Sequence, residues 1–377
     1  MKRVAVVVIV VALVSLSFSG CLTTQISGFT EEDLIVPVPP LEDDQPPTLP
    51  SPLTSVEPGY SFSLDWTMTE VFAYYGGAMN LSIRNTGDRD LFVYGYGLKW
   101  FNSTISHNRS TEVYVHPDAR MPLGLLCFGG PLTAEPTMYW ITLKIVVRAA
   151  SGIGWHDCGE VTAASKVIDV RDLVPQRDYT IQENVKDYYN RVNARVNFTA
   201  VEDITATILY YHPGDYSTLQ IAAAFDWVRS EVAYEADDGS DYWQSAEETL
   251  LRRAGDCEDQ AILMASIIGA LGGNARVNII NEHAFPSVFV ARDFSGLSPV
   301  WQSLCSYYGT DIALCYLDDY FGYWLVVDTV GFPHAGGLPA TSSPSSSVNL
   351  TDWTFDNSNW LVTVDATGNV AAGGWLF

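Results

Sequence analysis

Positive charge is scarce in this chain. Only 20 Lys and Arg residues stand against 44 Asp and Glu among 377, leaving a formal net charge of −24. A surface that negative repels phosphate backbones, so no nucleic-acid partner is expected. Charge of either sign is limited to 17% of residues while apolar residues reach 47%, a balance of globular rather than disordered chains. Cysteine is sparse too, with six residues at positions 21, 127, 158, 257, 305 and 315. That is too few for a small disulfide scaffold, and the length calls for two or three domains. A long apolar run is missing at the start. Val4 to Val14 is shorter than the ~20 residues that cross a bilayer comfortably, which favours a cleaved signal over a permanent span.

What is present begins with an export signal. Lys2 and Arg3 precede the apolar run, and Ser15 to Gly20 are mostly small, the charged, apolar and small-residue order of a secretory leader. Cys21 follows Ser19 and Gly20 directly. This resembles the lipoprotein signals of bacteria and archaea, in which the cysteine is lipidated, although Phe18 stands where Leu, Val or Ile is usual. The resemblance implies residues 1–21 as signal peptide and a chain tethered by lipid to the outer face of the cell membrane; an uncleaved anchor would also leave the bulk outside. Export permits disulfides. With Cys21 lipidated and one thiol kept free, the local pairs are Cys127 with Cys158 and Cys305 with Cys315. That parity leaves Cys257 unpaired, though sequence alone does not fix connectivity.

Residues 22–58 contain IVPVPPLEDDQPPTLPSPL, a Pro-rich acidic linker expected as a semi-rigid spacer. Residues 59–171 read as short β runs separated by turns. Alternation is visible at Leu81 and Ile83 and again at Phe92, Tyr94, Tyr96 and Leu98, with Asn85-Thr86-Gly87-Asp88 as a turn between strands. The expectation is an antiparallel β-sandwich, and NLSIRNTGDRDLFVYGYGLKW resembles the immunoglobulin-like modules of prokaryotic surface proteins. Residues 172–215 are transitional and partly helical. The tail, 336–377, opens on flexible ATSSPSSS, but Trp353, Trp360 and Trp375 make it too aromatic for simple disorder. Partial order is expected there, as strands folding back on a neighbouring domain.

Chemistry-bearing residues cluster after residue 216. Ser217 with Gln220 and Ser245 with Glu248 are capping boxes that open two helices. GDCEDQAILMASIIGALGG then predicts a third, with Asp256 capping, Asp259 at its third position and Gly272-Gly273 stopping it. Cys257 falls at the first helical position, where unpaired N–H groups and the helix dipole favour a thiolate. Asp256, Glu258 and Asp259 oppose that by their charge, and a helix end contributes only ~0.3–1 kcal/mol in exposed settings, so an imidazolium partner is needed. His283 is the candidate, at the mouth of the strand HAFPSVFVAR that follows the strand ARVNII. Asp328 ends a later strand, YWLVVDTVG, and supplies an orienting carboxylate for a Cys-His-Asp triad.

These elements resemble the transglutaminase-like superfamily over residues 210–331: YWQSAEETLLRRAGDCEDQAILMASIIGALGGNARV, then EHAFPSVFV, then YWLVVDTVG. The resemblance implies a papain-like α+β domain over residues 172–335, following the N-terminal immunoglobulin-like β-sandwich in a multidomain chain. It implies Cys257 as nucleophile, His283 as base and Asp328 as its orienting partner, and a protein, peptide or cell-envelope polymer as substrate. No metal or organic cofactor is implied. The stretch from Phe294 to Gly322 looks like an insertion, a lid or specificity loop. Trp243 and Trp301 read mostly as core; one of them, or Gln244, is a candidate to join the Cys257 N–H in an oxyanion hole, and the sequence does not select among the three. Asp237 to Asp241 resembles a calcium loop but lacks the spaced ligands and closing Glu of an EF-hand, and is read as a solvated acidic turn. The alternative to an enzyme is a catalytically inactive surface module that binds a protein or an envelope polymer.

Overall fold

The structure, a computed structural model, describes residues 47–101, 103–171, 180–239, 241–280, 283–340 and 360–368. The leading segment with Cys21, the linker up to residue 46, and Trp353 and Trp375 lie outside the described residues. Two units are distinguished. One consists of the described residues up to 171 with 308–312, the other of the remaining described residues.

In the first unit, β1 (Phe62–Met68), β3 (Gly77–Asn85) and β6 (Arg120–Phe128) form one antiparallel sheet in the order β1-β3-β6. A second holds β4 (Leu91–Trp100), β5 (Ser106–Val115), β7 (Thr137–Arg148) and β8 (Trp155–Ile168) in the order β5-β4-β7-β8. The short strands β2 (Val71–Phe72) and β9 (Val170–Arg171) pair in parallel. Leu81 and Ile83 from the first sheet and Val93, Leu98, Ile141 and Leu143 from the second share one apolar cluster, so the two sheets bury a common core. The expected turn at Asn85–Asp88 joins β3 of one sheet to β4 of the other and is therefore a crossing, not a hairpin. Asn85 pins it: its Nδ2 donates to Arg89 O and Val115 O, and its Oδ1 accepts from the Gly87 N–H.

The alternation expected from Phe92 through Leu98 does not hold across its whole length. Tyr96 and Leu98 face the common core, but Phe92 faces the other side with Val146 and Trp155. A bulge between Val93 and Gly95 inserts one residue and exchanges the faces. Neither expected disulfide is present. Cys127 lies on β6 and Cys158 on β8, in different sheets. Proximity in sequence does not bring two cysteines to the ~7 Å or less between Cα atoms that a bridge requires. Cys305 likewise sits within a helix and Cys315 is buried ahead of a strand, without a bond between them. Burial pushes the Cys315 thiol up to about 12; burial with the charges of Glu57 and Asp157 pushes Cys158 up to about 11.

The second unit is built on a six-stranded sheet. Its strands are β10 (Thr180–Glu183), β13 (Ala275–Ile280), β14 (His283–Ala291), β15 (Tyr316–Asp319), β16 (Gly322–Val326) and β17 (Trp360–Asp365), ordered β10-β17-β13-β14-β16-β15. All neighbours are antiparallel except β10 and β17. The helices are α1 (Lys186–Asn193), α2 (Glu202–Tyr211), α3 (Thr218–Glu231), α4 (Ala246–Arg252), α5 (Cys257–Ala270) and α6 (Leu297–Tyr308). The last pair, β11 (Ala233–Tyr234) and β12 (Ala254–Gly255), is parallel. Both capping boxes form, Ser217 with Gln220 and Ser245 with Glu248. Helix α5 is apolar on all sides, and Ala261 to Ile268 are buried. It packs on β13 and β14 with α3 and α4 beside it.

One segment differs from expectation, and the tail folds back as a strand as expected. The stretch from Phe294 to Gly322 is largely framework: α6 is fastened to α3 by a buried 2.6 Å hydrogen bond between Ser303 Oγ and Thr218 Oγ1, and β15 is the sheet's edge strand. In the tail, β17 is an inner strand of this same sheet, between β10 and β13.

Candidate active site

Helix α5 starts at Cys257 because the turn before it is fixed by Asp259. One carboxylate oxygen of Asp259 accepts the Asp256 N–H at 3.3 Å and the other the Gln244 N–H at 2.6 Å. Gly255 is required there, since a Cβ on it would meet the Asp259 Cβ at 2.7 Å. Asp256 stands at the N-cap as expected and forms a capping box with Asp259, each side chain facing the other's backbone N–H.

His283 and Asp328 come together. Strands β14 and β16 are antiparallel with Ser287 opposite Val326, and the Val327 N–H donates to Pro286 O at 3.0 Å. Carried two residues further, this register brings Asp328 level with Phe285, on the same face of the strand as His283. The His283 Nε2 and Asp328 Oδ2 atoms lie 2.9 Å apart, and the residues are only 6% and 4% exposed. Asp328 is held from three directions. Oδ2 also accepts the Ala340 N–H at 2.6 Å, and Oδ1 accepts the Val330 N–H at 3.0 Å. Its loop is tied to α5 by Thr329 Oγ1, which donates to Gln260 Oε1 at 2.7 Å, and to α3 by Arg229 Nη1, which donates to Thr329 O at 2.7 Å. The carboxylate thus occupies Nε2 of the imidazole and leaves Nδ1 as its remaining nitrogen.

Cys257 is half-buried at the head of α5, which packs on β14, and the Ala284 N–H donates a hydrogen bond to its sulfur. Among the described residues no hydrogen bond joins it to His283. The thiol donates instead to Glu258 Oε2 at 3.0 Å. Burial first, then the charge of Glu258, push the thiol far above its ordinary value, against the Ala284 N–H, which pulls it down. The neighbouring acids are shifted in turn. Burial, with the Glu258 charge, raises Asp256 to about 7; burial raises Asp259 to about 6 and Glu258 in the same direction. Glu258 lies next to Cys257 in sequence, yet sequence showed only its charge, not its hydrogen bond to the sulfur. The backbone donors at Val330 and Ala340 carried no sequence signal at all.

Of the side chains considered for an oxyanion hole, Trp243 is committed elsewhere, its indole Nε1 donating to Asp241 Oδ1 at 2.7 Å. Gln244 is 2% exposed and its Oε1 has no hydrogen-bond partner. Two overlapping groups of side chains lie close enough together to hold a metal ion: Asp256, Cys257 and Glu258, and Asp237, Asp241 and Glu258.

Residues 210–328 match the family model of the transglutaminase-like superfamily. This stretch is a transglutaminase-like domain. The match takes in α3, α4, α5 and the sheet strands β13 to β16, and it ends on Asp328. No curated protein matches the chain. Among solved structures, the chain is similar to a Cytophaga hutchinsonii protein assigned as a cysteine protease, at 9% identity and a TM-score of 0.22, over 60% of this chain and 72% of that one. It is also similar to red sea bream transglutaminase, at 10% identity and a TM-score of 0.20, over 74% of this chain and 62% of that one. The transglutaminase-like assignment rests on the family match over residues 210–328, not on these overlaps.

Proposed function

We propose that the chain is an exported cysteine enzyme, tethered to the outer face of the membrane through Cys21, that performs acyl transfer at amide bonds. In this reading the transglutaminase-like domain is papain-like in architecture, and the two-sheet unit is an immunoglobulin-like sandwich carried on the Pro-rich linker. The observation that supports it best is the buried His283–Asp328 hydrogen bond on the strands packed beside the Cys257 helix start. His283 Nδ1 takes the Cys257 proton as the sulfur attacks an amide carbonyl. The amide C–N bond then breaks, His283 returns the proton to the leaving amine, and a thioester remains. Asp328 holds the ring's tautomer and stabilises the imidazolium. Water releases the acyl group in a peptidase or amidase, an amine in a transglutaminase. Water is abundant outside a cell, which favours hydrolysis. A protein or peptide is the substrate class, with a cell-envelope polymer as the other.

One observation favours the inactive binding module instead: the thiol donates to Glu258 and not to His283. Iodoacetamide labelling separates the two. An enzyme should label rapidly at Cys257, and His283→Ala should slow labelling and lower turnover of a glutamine-containing peptide by about 100-fold or more. Slow, equal labelling of both proteins would leave the binding module. Adding a primary amine to the same assay distinguishes cross-linking from hydrolysis.

A further inference from the structure

The sulfur sits on α5 and the His283–Asp328 pair on the sheet, yet one buried side chain is bonded to both neighbourhoods. Gln260 lies three residues after Cys257, on the same side of the first turn of α5. Its Nε2 donates to Gly255 O at 3.1 Å, and its Oε1 accepts from Thr329 Oγ1 at 2.7 Å. Gly255 stands two residues before the nucleophile, and Thr329 directly follows the carboxylate that holds His283. The partners fix the orientation of the amide. A carbonyl oxygen only accepts, so the NH2 must face Gly255, and the Thr329 hydroxyl is left to donate. Gln260 is 3% exposed and Thr329 4%, so water does not compete for either bond.

Packing alone would not call for an amide here. The residues that follow on α5 are mostly apolar and buried, and an apolar side chain would fill the place without needing two partners. The two ends of Gln260 complete restraints that other residues begin. Asp259 holds the N–H groups of Asp256 and Gln244, and Gln260 adds the Gly255 carbonyl of the same turn. Arg229 holds the Thr329 backbone from α3, and Gln260 holds its hydroxyl from α5, the helix that carries the sulfur. We infer that Gln260 is a positioning residue, a strut that sets the spacing between the Cys257 turn and the Asp328 loop and so aims His283 at the sulfur. Its side chain bonds to neither the sulfur nor the imidazole, and it acts through Asp328, whose Oδ1 is held by the Val330 N–H beside Thr329. A loop free to rotate would carry the carboxylate off Nε2 and let the ring change tautomer. Misplacement by about 1 Å costs on the order of 100-fold in rate. That kinetic consequence rests on the enzymatic reading; the strut itself does not.

Two variants of the full chain cut the strut, with folding checked by circular dichroism. Gln260→Met keeps the length and loses both bonds; Thr329→Val keeps the shape and loses one, so it serves should the first not fold. One readout needs no turnover. In protein labelled with ¹⁵N-histidine, the His283 signals are those missing from His283→Ala. The neutral ring should carry its proton on Nε2 in the unaltered protein, and both tautomers should be populated in each variant. The other readout is kinetic. For a glutamine-containing peptide, kcat should fall about tenfold or more while KM stays within about twofold. Thr329→Ser keeps the hydroxyl and should recover most of that loss. Iodoacetamide labelling of Cys257 should slow in each variant, but on a His283→Ala background Gln260→Met should slow it no further, because both changes act through the same imidazole. A purely structural residue would slow both backgrounds alike. An unmoved tautomer in both variants, a kcat within about twofold of the unaltered protein, or labelling losses that add in full would overturn the inference. A tautomer that shifts in a protein that turns nothing over upholds the strut and removes the enzyme; turnover with an unmoved tautomer does the reverse.

Discussion

With its proton directed at Glu258 Oε2, the Cys257 thiol stays protonated near neutral pH, and the charge of Glu258 is the part of that resistance a substitution can remove. Glu258→Gln keeps the shape and discards the charge. Iodoacetamide should then alkylate Cys257 at least about tenfold faster at neutral pH, one unit of thiol acidity being tenfold in thiolate. An unchanged rate would assign the whole effect to burial. A second titration concerns His334, which is buried with its Nδ1 on Ala335 O at 3.0 Å. Burial lowers it from its ordinary 6.5 to about 4. The unfolded chain therefore takes up a proton below about pH 6.5 that the folded chain refuses until about pH 4, so this residue's contribution to stability is lost as pH falls across that window. The loss is about 3 kcal/mol. Urea unfolding at a series of pH values should show the stability of the protein falling relative to His334→Gln by that amount between pH 7 and 4; a constant difference would refute it. At this scale sequence carried the identities of Cys257, His283 and Asp328, because each stands at the edge of a recognisable helix or strand. It placed Asp256 at the capping position, where the box with Asp259 forms, but gave no sign that one of its carboxylate oxygens is buried without a partner.

At the scale of elements, Arg276 joins three strands. Its Nε donates to Asp365 Oδ1 on β17 at 2.7 Å, its Nη1 to Asp319 on β15, and its guanidinium lies 3.6 Å from the centre of the Trp324 ring on β16. Arg276 and Asp319 are both almost fully buried. Arg276→Met removes the cation and leaves the acids behind, which should cost about 3–5 kcal/mol in urea unfolding. Arg276→Lys should recover little of that, because an ammonium cannot bridge both carboxylates with a planar fork. A loss below about 1 kcal/mol would mean the cluster behaves as a surface ion pair. None of this was legible beforehand, for a physical reason. The helices α3, α4 and α5 announce themselves through local signals, a cap at the start of each and, in α3, a periodic apolar face. The pairing of β17 with β13 joins residues far apart in the chain, and WLVTVD says only that it is a strand, not where it lies. The bulge between Val93 and Gly95 was hidden likewise, because nothing in FVYGYG distinguishes an inserted residue from a continuing alternation.

The whole molecule carries 44 acidic against 20 basic residues, and this imbalance sets how it answers to salt. Self-repulsion of a net charge of −24 opposes the compact state, and it is screened as the Debye length shrinks from about 10 Å at 0.1 M salt to about 3 Å at 1 M. Thermal unfolding in sodium chloride should therefore move upward across that range; a flat or falling Tm would mean that the acids are already compensated by close partners.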